Sequence, residues 1–450
     1  MSVFFTARKT IKNYANGGNV LIFATVLALI LVNIPGLTEF YNSLWVDELA
    51  LQVGSFNLFS HHGHPMSIMD FINDALMALF FFSVGLEIKR EVLVGELSSF
   101  RNALLPILAA IGGMAVPVAI YFSLSMGTDY HNGWAIPMAT DIAFSLGVLA
   151  MLGNRVPIGL KVFLTTLAVV DDIGGILVIA IFYSSSIDVS LLLWAAGCFA
   201  ILLIGGFIGI QSKMFYAFFG TFVWFFFLNA GIHPTIAGVL VAFTIPAKPV
   251  YAPKNYIKTI RKNISFFSHE DVEKLNSRTI LSKDQMNWLK EIESASDKVI
   301  SPLQDMEDTL HPLVNYIIVP LFAFANAGIF FGDMEISQLF TGIAPAIIIS
   351  LVVGKFVGIF LFSWLTIVTK MAPMPEGGTW SRLAAVSMLG GIGFTVSLFI
   401  ANLSFGTGDP IMSILLNDAK LGILVGSLLA GILGWLLLHF TLPREGIEEN

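Results

Sequence analysis

Two aspartates, Asp171 and Asp172, stand side by side in the apolar run LTTLAVVDDIGGILVIAIF. Asp141 lies in a second such run, PMATDIAFSLGVLAML, and Lys355 in a third, IIISLVVGKFVGIFLFSW. These stretches are apolar enough to enter a bilayer, where a carboxylate costs roughly 2.5–3.5 kcal/mol on insertion scales. Charges kept at that depth mark ion or proton paths. Adjacent helix positions point about 100° apart, so Asp171 and Asp172 cannot aim at one partner, and each needs its own surroundings. A buried lysine wants a carboxylate. Pairing Lys355 with one Asp lowers the insertion penalty of both and leaves the other Asp free to meet Asp141. Carboxylate oxygens are hard ligands, suited to a hard cation rather than a soft metal. Two of them converging on one site repel, so the site holds either a cation or protons. The plainer alternative is that all four charges only pin helices together.

Asp141 follows Pro137 and Thr140 in a short apolar span. In LGGIGFTVSLFIA, Gly390, Gly391 and Gly393 precede Thr395 and Ser397. Both segments place a helix breaker and then a Thr before further apolar residues, and they are the middle spans of 3–5 and 10–12. Unwound backbone is tolerated at depth only where it lines a cavity or is covered by protein. Interrupted spans at matching positions point to a transporter's midplane site. At the inner end of the second span, FFFSVGLEIKREVL carries Glu87, Lys89, Arg90 and Glu91; Glu307, Asp308 and His311 open the ninth span on the same side. Each cluster reads either as an interfacial anchor or as a charged funnel mouth, with His311 the natural titrating group near neutral pH. Asp74, in FINDALMALF, is a polar group near the outer exit, and His233 reads as a helix cap.

The elements that position these residues are membrane spans. Of 450 residues, 56% are hydrophobic and 12% charged, with a mean hydropathy of +0.81; a soluble domain has about 25% charged residues. The fold expected is all-α and polytopic, with twelve transmembrane helices near 18–35, 68–92, 103–123, 136–152, 157–183, 188–209, 213–230, 234–247, 311–330, 340–367, 383–402 and 420–440. Arg8, Lys9 and Lys12 precede the first, which reads as a retained span rather than a cleaved leader. Of the 24 Lys and Arg, all but Lys355 and Lys420 fall on one side of this scheme, which makes that side and both termini cytoplasmic. The net charge of −7 therefore says little about partners, and the lone Cys198 gives no disulfide or metal-ligand spacing. The chain divides into spans 1–8 (1–252) with an outer β-hairpin near 45–60, a cytoplasmic insertion (253–300) and spans 9–12 (301–450), all one integral membrane domain. The insertion holds nine Lys or Arg against seven Asp or Glu. Trp288, Ile292, Ala295 and Val299 recur there at helical spacing, so it reads as a solvated loop with an amphipathic helix, or as a regulatory or partner-binding element. It ends at Ser301-Pro302-Leu303-Gln304, a helix-start signal.

FINDALMALFF, FFFSVGLEIKRE, GWAIPMATDIAFSLGVLAMLGNRVP, LAVVDDIGG, HPTIAGV, PLFAFANAG, VGKFVGI and LGGIGFTVSLFIA resemble, in order, the signature segments of the NhaA family of bacterial sodium–proton antiporters. The likeness runs from about residue 15 to 440. That family is a standing example of inverted repeats with broken helices, so its agreement with the pattern above is not independent. The resemblance implies inverted repeats with two interrupted crossing helices, and a homodimer joined partly through the hairpin Trp45–Ser60. It implies Asp172 as main sodium ligand and proton carrier, Asp171 paired to Lys355, and Asp141 with Thr140 at the helix crossing, where Asp141 balances their dipoles. Glu87, Arg90, Glu91, Glu307 and His311 match the family's pH-response region. The sequence departs from the family at Asp308, where a histidine is expected, and in the long 253–300 insertion.

The function expected is an electrogenic, pH-regulated antiporter of the bacterial inner membrane. It exports Na+ or Li+ for about two protons, without a cofactor or nucleic-acid partner and surrounded by membrane lipid. A cation channel, or an exchanger with another ion preference, is the alternative. An intramembrane aspartyl protease would also use two Asp, but it wants a GxGD motif that neither Asp141 nor Asp171 has. A light-driven pump with Lys355 as Schiff base fails on span count. The protein is not expected to be an enzyme.

Overall fold

The computed structural model describes residues 17–53, 56–61, 64–184, 187–249, 253–266, 281–332, 339–406 and 409–443. Arg8, Lys9 and Lys12 lie outside them. An apolar chain in lipid must satisfy its N–H and C=O groups internally, and helices do this within one segment. In chain order the helices are α1 (Gly17–Asn33), α2 (Ile68–Val94), α3 (Phe100–Ser125), α4 (Ile142–Met151) and α5 (Ile158–Phe182). There follow α6 (Val189–Ile208), α7 (Lys213–Asn229), α8 (Pro234–Thr244), α9 (Pro253–Ser265) and α10 (Lys283–Val299). Last come α11 (Pro302–Asn326), α12 (Ile343–Val368), α13 (Trp380–Leu389), α14 (Phe394–Phe405) and α15 (Pro410–Thr441).

Among the described residues, seven helices (α2, α3, α5, α6, α11, α12 and α15) are long and apolar enough to cross a membrane. Two bent pairs raise the number to nine: a 3-10 stretch His131–Met138 with α4, bent by 41°, and α13 with α14, bent by 42°. The apolar α1, α7 and α8 are shorter. Two helices start earlier than the hydropathy suggests because polar residues cap them. Ser301 Oγ accepts from Gln304 N at 3.3 Å and opens α11; Asp409 Oδ1 accepts from Ile411 N at 3.1 Å and opens α15.

Small residues set the closest packing. A Cβ on Gly112 of α3 would strike the carbonyl of Gly358 in α12. The two backbones therefore touch, and van der Waals contact holds them where lipid supplies no hydrophobic drive between helices. That seam carries Lys355 inward: it is fully buried. On the other side of the molecule Gly85 of α2 does the same against α8, where an added Cβ would stand 3.1 Å from Val239 Cα. Among the described residues there is a small apolar core around Val84, Ile88 and Val169, and there are two large ones. One joins α2, α6, α7, α8 and the start of α11 through Phe82, Leu202, Trp224, Val241 and Met306; the larger one gathers most of the other spans.

Between α1 and α2 the chain forms short antiparallel strands. Gln52–Val53 pairs with Phe56–Asn57, in the register Gln52↔Asn57 and Val53↔Phe56. The residues between them are outside the description. Glu48–Leu49 and Ser60–His61 flank His64–Ser67 in a three-stranded sheet. At the other end of α2, Lys89 Nζ donates to the carbonyls of Phe243 (2.7 Å) and Ile245 (2.5 Å), capping the orphan C=O groups of α8. Trp288, Ile292, Ala295 and Val299 all fall on α10, which packs on α9.

Candidate functional site

The two bent pairs cross at their breaks. Asp141 N donates to Ile392 O (2.6 Å), Ser145 Oγ to Leu389 O (3.2 Å) and Ser397 Oγ to Ile136 O (2.7 Å), so each unwound stretch satisfies the other's backbone. Asp141, 2% exposed, sits where α4 and α14 both begin. Its Oδ1 accepts from Phe144 N at 2.9 Å; its Oδ2 accepts from Thr395 N at 3.0 Å and Thr395 Oγ1 at 2.5 Å. One carboxylate thus meets the positive ends of two half-helices, the polarity that helix dipoles favour. A side chain on Gly393 would collide with Ser397 Oγ, and one on Gly391 would meet Ala430 Cβ at 3.1 Å. At the crossing itself a Cβ on Gly393 would also stand 3.2 Å from Ala139 O of the facing break.

Beside the crossing, Lys355 Nζ forms an ion pair with Asp171 Oδ2, both side chains fully buried. Lys355 Nζ also donates to Thr140 Oγ1 at 2.9 Å. The Thr140 hydroxyl stands 2.6 Å from Asp171 Oδ2 and 2.8 Å from Gly390 O, and its single proton can serve only one of them. Asp171 Oδ1 is buried with no hydrogen-bond partner among the described residues. Asp172, one residue on, makes no hydrogen bond or ion pair among the described residues and is 5% exposed. It lines a cavity of about 360 Å³ together with Thr140, Asp141, Glu87, His311 and Thr395. The adjacent aspartates do face different surroundings: one a lysine, the other open space. A free carboxylate, a half-paired one and threonine oxygens are hard donors that suit Na+ or protons.

Glu87 and His311 line the same cavity. Arg90 Nη1 pairs with Glu307 Oε1 at 2.6 Å, and its Nη2 with Glu91 Oε1 at 3.1 Å, tying α2 to α11. Exposed His311 contacts Asn315 Nδ2 at 3.0 Å. Lys89 is not part of this group, since it caps α8. Asp74 is also apart: it lies on a wide π-helical turn, Phe71–Leu76, away from the cavity, and its backbone carbonyl accepts from Trp224 Nε1 at 3.2 Å. Its neighbour Asn73 enters a ladder that the sequence reading missed. Asn402 Nδ2 donates to Asn326 Oδ1 (2.8 Å), and Asn326 Nδ2 to Asn73 Oδ1 (2.9 Å), linking α14, α11 and α2. The available signal was a lone asparagine near one end of each of three apolar helices.

Residues 8–438 match the family described as Na+/H+ antiporter 1. The chain belongs to this family. Its relatives in the Na+/H+ antiporter family cover nearly the whole chain. It is similar to the Na(+)/H(+) antiporter NhaA of Phocaeicola vulgatus, with 54% identity over 100% of this chain and 99% of the relative. The Bacteroides fragilis protein of the same name is 51% identical over 98% of this chain and 100% of the relative. That of Oleidesulfovibrio alaskensis is 42% identical over 97% and 94%. The family is one of membrane transporters, not enzymes.

Proposed function

We propose that the protein exchanges Na+ for H+ across the bacterial inner membrane, with Asp172 carrying both ions in turn. The observation behind this reading is the contrast within the acidic pair: Asp171 is held by Lys355, while Asp172 has no hydrogen-bond or ion-pair partner among the described residues and borders the cavity. In the ion-loaded state Na+ bridges Asp172 to the spare Asp171 Oδ1, with Thr140 as a further oxygen ligand. In the ion-free state the same carboxylate takes a proton, because a bare charge at that depth is costly. Cation entry draws Asp171 toward the metal and frees Lys355 to shed a proton, which supplies the second proton site and makes the exchange two protons per Na+. Asp141 holds the two half-helix ends in register as the ligand shell changes.

The wider reading places twelve spans with inverted repeats, the shorter α1, α7 and α8 included, and both termini on the cytoplasmic side. It assigns the strands near 45–60 to a homodimer contact. Li+ is a second substrate, and Glu87, Arg90, Glu91, Glu307 and His311 set the response to pH at the cavity mouth. Asp74 serves the outer approach. Na+-dependent collapse of a proton gradient in everted vesicles is the test. Asp172→Asn keeps the shape but can neither hold a proton nor neutralise a cation, and is expected to abolish the signal while the protein remains folded and inserted. Wild-type flux from that variant overturns the assignment.

A further inference from the structure

The insertion between α8 and α11 is left without a role by the exchange reading, and its charge is unevenly distributed. From Ile245 to Ser265 there are five basic residues, Lys248, Lys254, Lys258, Arg261 and Lys262, and no Asp or Glu. All seven acidic residues of the insertion come later in the sequence: Glu270, Asp271 and Glu273 between the two helices, and Asp284, Glu291, Glu293 and Asp297 on α10, where they alternate with Lys283, Lys290 and Lys298. The α9–α10 contact is centred on Asn263 at the end of α9. Asn263, 2% exposed, donates to Glu291 Oε2 at 2.9 Å, and Phe266 lies against Trp288 with ring centres 5.5 Å apart. At 100° per residue, Lys254, Lys258 and Arg261 fall on the opposite arc and Lys262 at its edge, with its Nζ 5.9 Å from the centre of the Phe266 ring; all four are exposed. Ile257 (44% exposed) and Ile264 (55% exposed) border that arc on one side. A basic face flanked by exposed isoleucines is the pattern of a helix lying in a lipid headgroup layer.

Its position agrees. Leu303 N donates to Pro246 O at 3.2 Å, so the insertion leaves and rejoins the bundle at one point, where α8 ends and α11 begins. α9 therefore starts just past the end of an apolar helix, within reach of the bilayer surface. We propose that α9 docks through Lys254, Lys258, Arg261 and Lys262 on the anionic phospholipid headgroups of the membrane that holds the protein, with Ile257 and Ile264 entering the acyl boundary. This rests on the chain spanning a membrane but not on which ions it moves. Juxtamembrane bases gain affinity for anionic leaflets individually, and each one removed lowers the docked-to-free ratio about fivefold at low salt. Docking is screened within a Debye length as salt rises.

The experiment uses the full chain with Cys198→Ser and a fluorophore on Ser265→Cys, in vesicles of phosphatidylcholine alone or mixed equally with phosphatidylglycerol, each with brominated acyl chains. The expected result is quenching in the mixed vesicles, lost in high salt and lost on Lys254→Gln/Lys258→Gln/Arg261→Gln/Lys262→Gln. Na+-dependent proton flux from the fourfold variant in phosphatidylcholine should match its parent, which shows that the bundle is folded. Three results overturn the proposal: no quenching in either lipid, equal quenching in both, or quenching that survives the fourfold change. Quenching that appears only after an acidic protein or nucleic acid is added overturns it too. A dead exchanger with normal quenching would instead count against the exchange reading.

Discussion

At the scale of single residues, the decisive feature is that one of two adjacent carboxylates is paired and the other is not. Removing Lys355 leaves Asp171 buried with only Thr140 beside it. Breaking one side of a buried pair costs about 3–5 kcal/mol, whereas removing both charges is far milder. Lys355→Ala is therefore expected to lower the unfolding midpoint in detergent sharply, and adding Asp171→Asn should recover much of the loss. A double variant that melts no higher than Lys355→Ala alone would mean that the pair does not contribute as described. The charged residues were legible in the sequence because Asp and Lys stand out in apolar runs. Helix geometry also separated Asp171 from Asp172. The shared Thr140 hydroxyl, the unpartnered Asp171 Oδ1 and the Asn73–Asn326–Asn402 ladder were not legible. Each depends on which face of one helix meets which face of another, and residues as far apart as Asn73 and Asn402 give no local sign that they will meet.

At the scale of elements, prolines and glycines can stay within continuous helices, as Pro106, Pro117 and Gly112 do in α3, but the breaks in the two bent pairs were readable from Pro137 and from Gly390, Gly391 and Gly393 because each precedes a Thr inside a short apolar run. Their crossing was not, because backbone-to-backbone bonds such as Asp141 N to Ile392 O leave no side-chain trace. Three spans also contain wide π-helical turns: Phe71–Leu76, Val314–Ile318 and Ser350–Gly354. Asp74 lies within the first, and His311 and Lys355 flank the other two. Hydropathy cannot register one extra residue in a turn, so these went unseen. The crossing makes Asp141 a cap for two helices at once. Asp141→Ala strips acceptors from Phe144 N, Thr395 N and Thr395 Oγ1, and is expected to cost roughly 2–4 kcal/mol. Asp141→Asn keeps one carbonyl acceptor and should cost distinctly less. Equal thermal midpoints for the two variants in detergent would rule out the double cap.

At the scale of the whole molecule, two protons entering per Na+ leaving would move one net positive charge inward in each cycle. At 100 mV, inside negative, that charge contributes about 2.3 kcal/mol toward Na+ expulsion. Export is then expected to continue when the outside is alkaline and the pH gradient opposes it. In proteoliposomes clamped with K+ and valinomycin, the Na+ gradient that halts exchange at fixed ΔpH should shift with the imposed voltage. No shift would make the cycle electroneutral and remove Lys355–Asp171 as the second proton site.

The helices that border the cavity are fastened to one another by two kinds of bond. Near Glu87 the ties are ionic, Arg90 to Glu307 and Glu91, with the Arg90 side chain 36% exposed. Where Asn73, Asn326 and Asn402 meet, the ties are neutral amides in series, each passing a hydrogen bond to the next. Neutral amides are little affected by dissolved salt, whereas an ion pair with one partly exposed member is weakened by it. The described residues thus include one fastening that dissolved salt can weaken and one that it leaves alone, so rising salt is expected to act on the protein asymmetrically before any ion has bound.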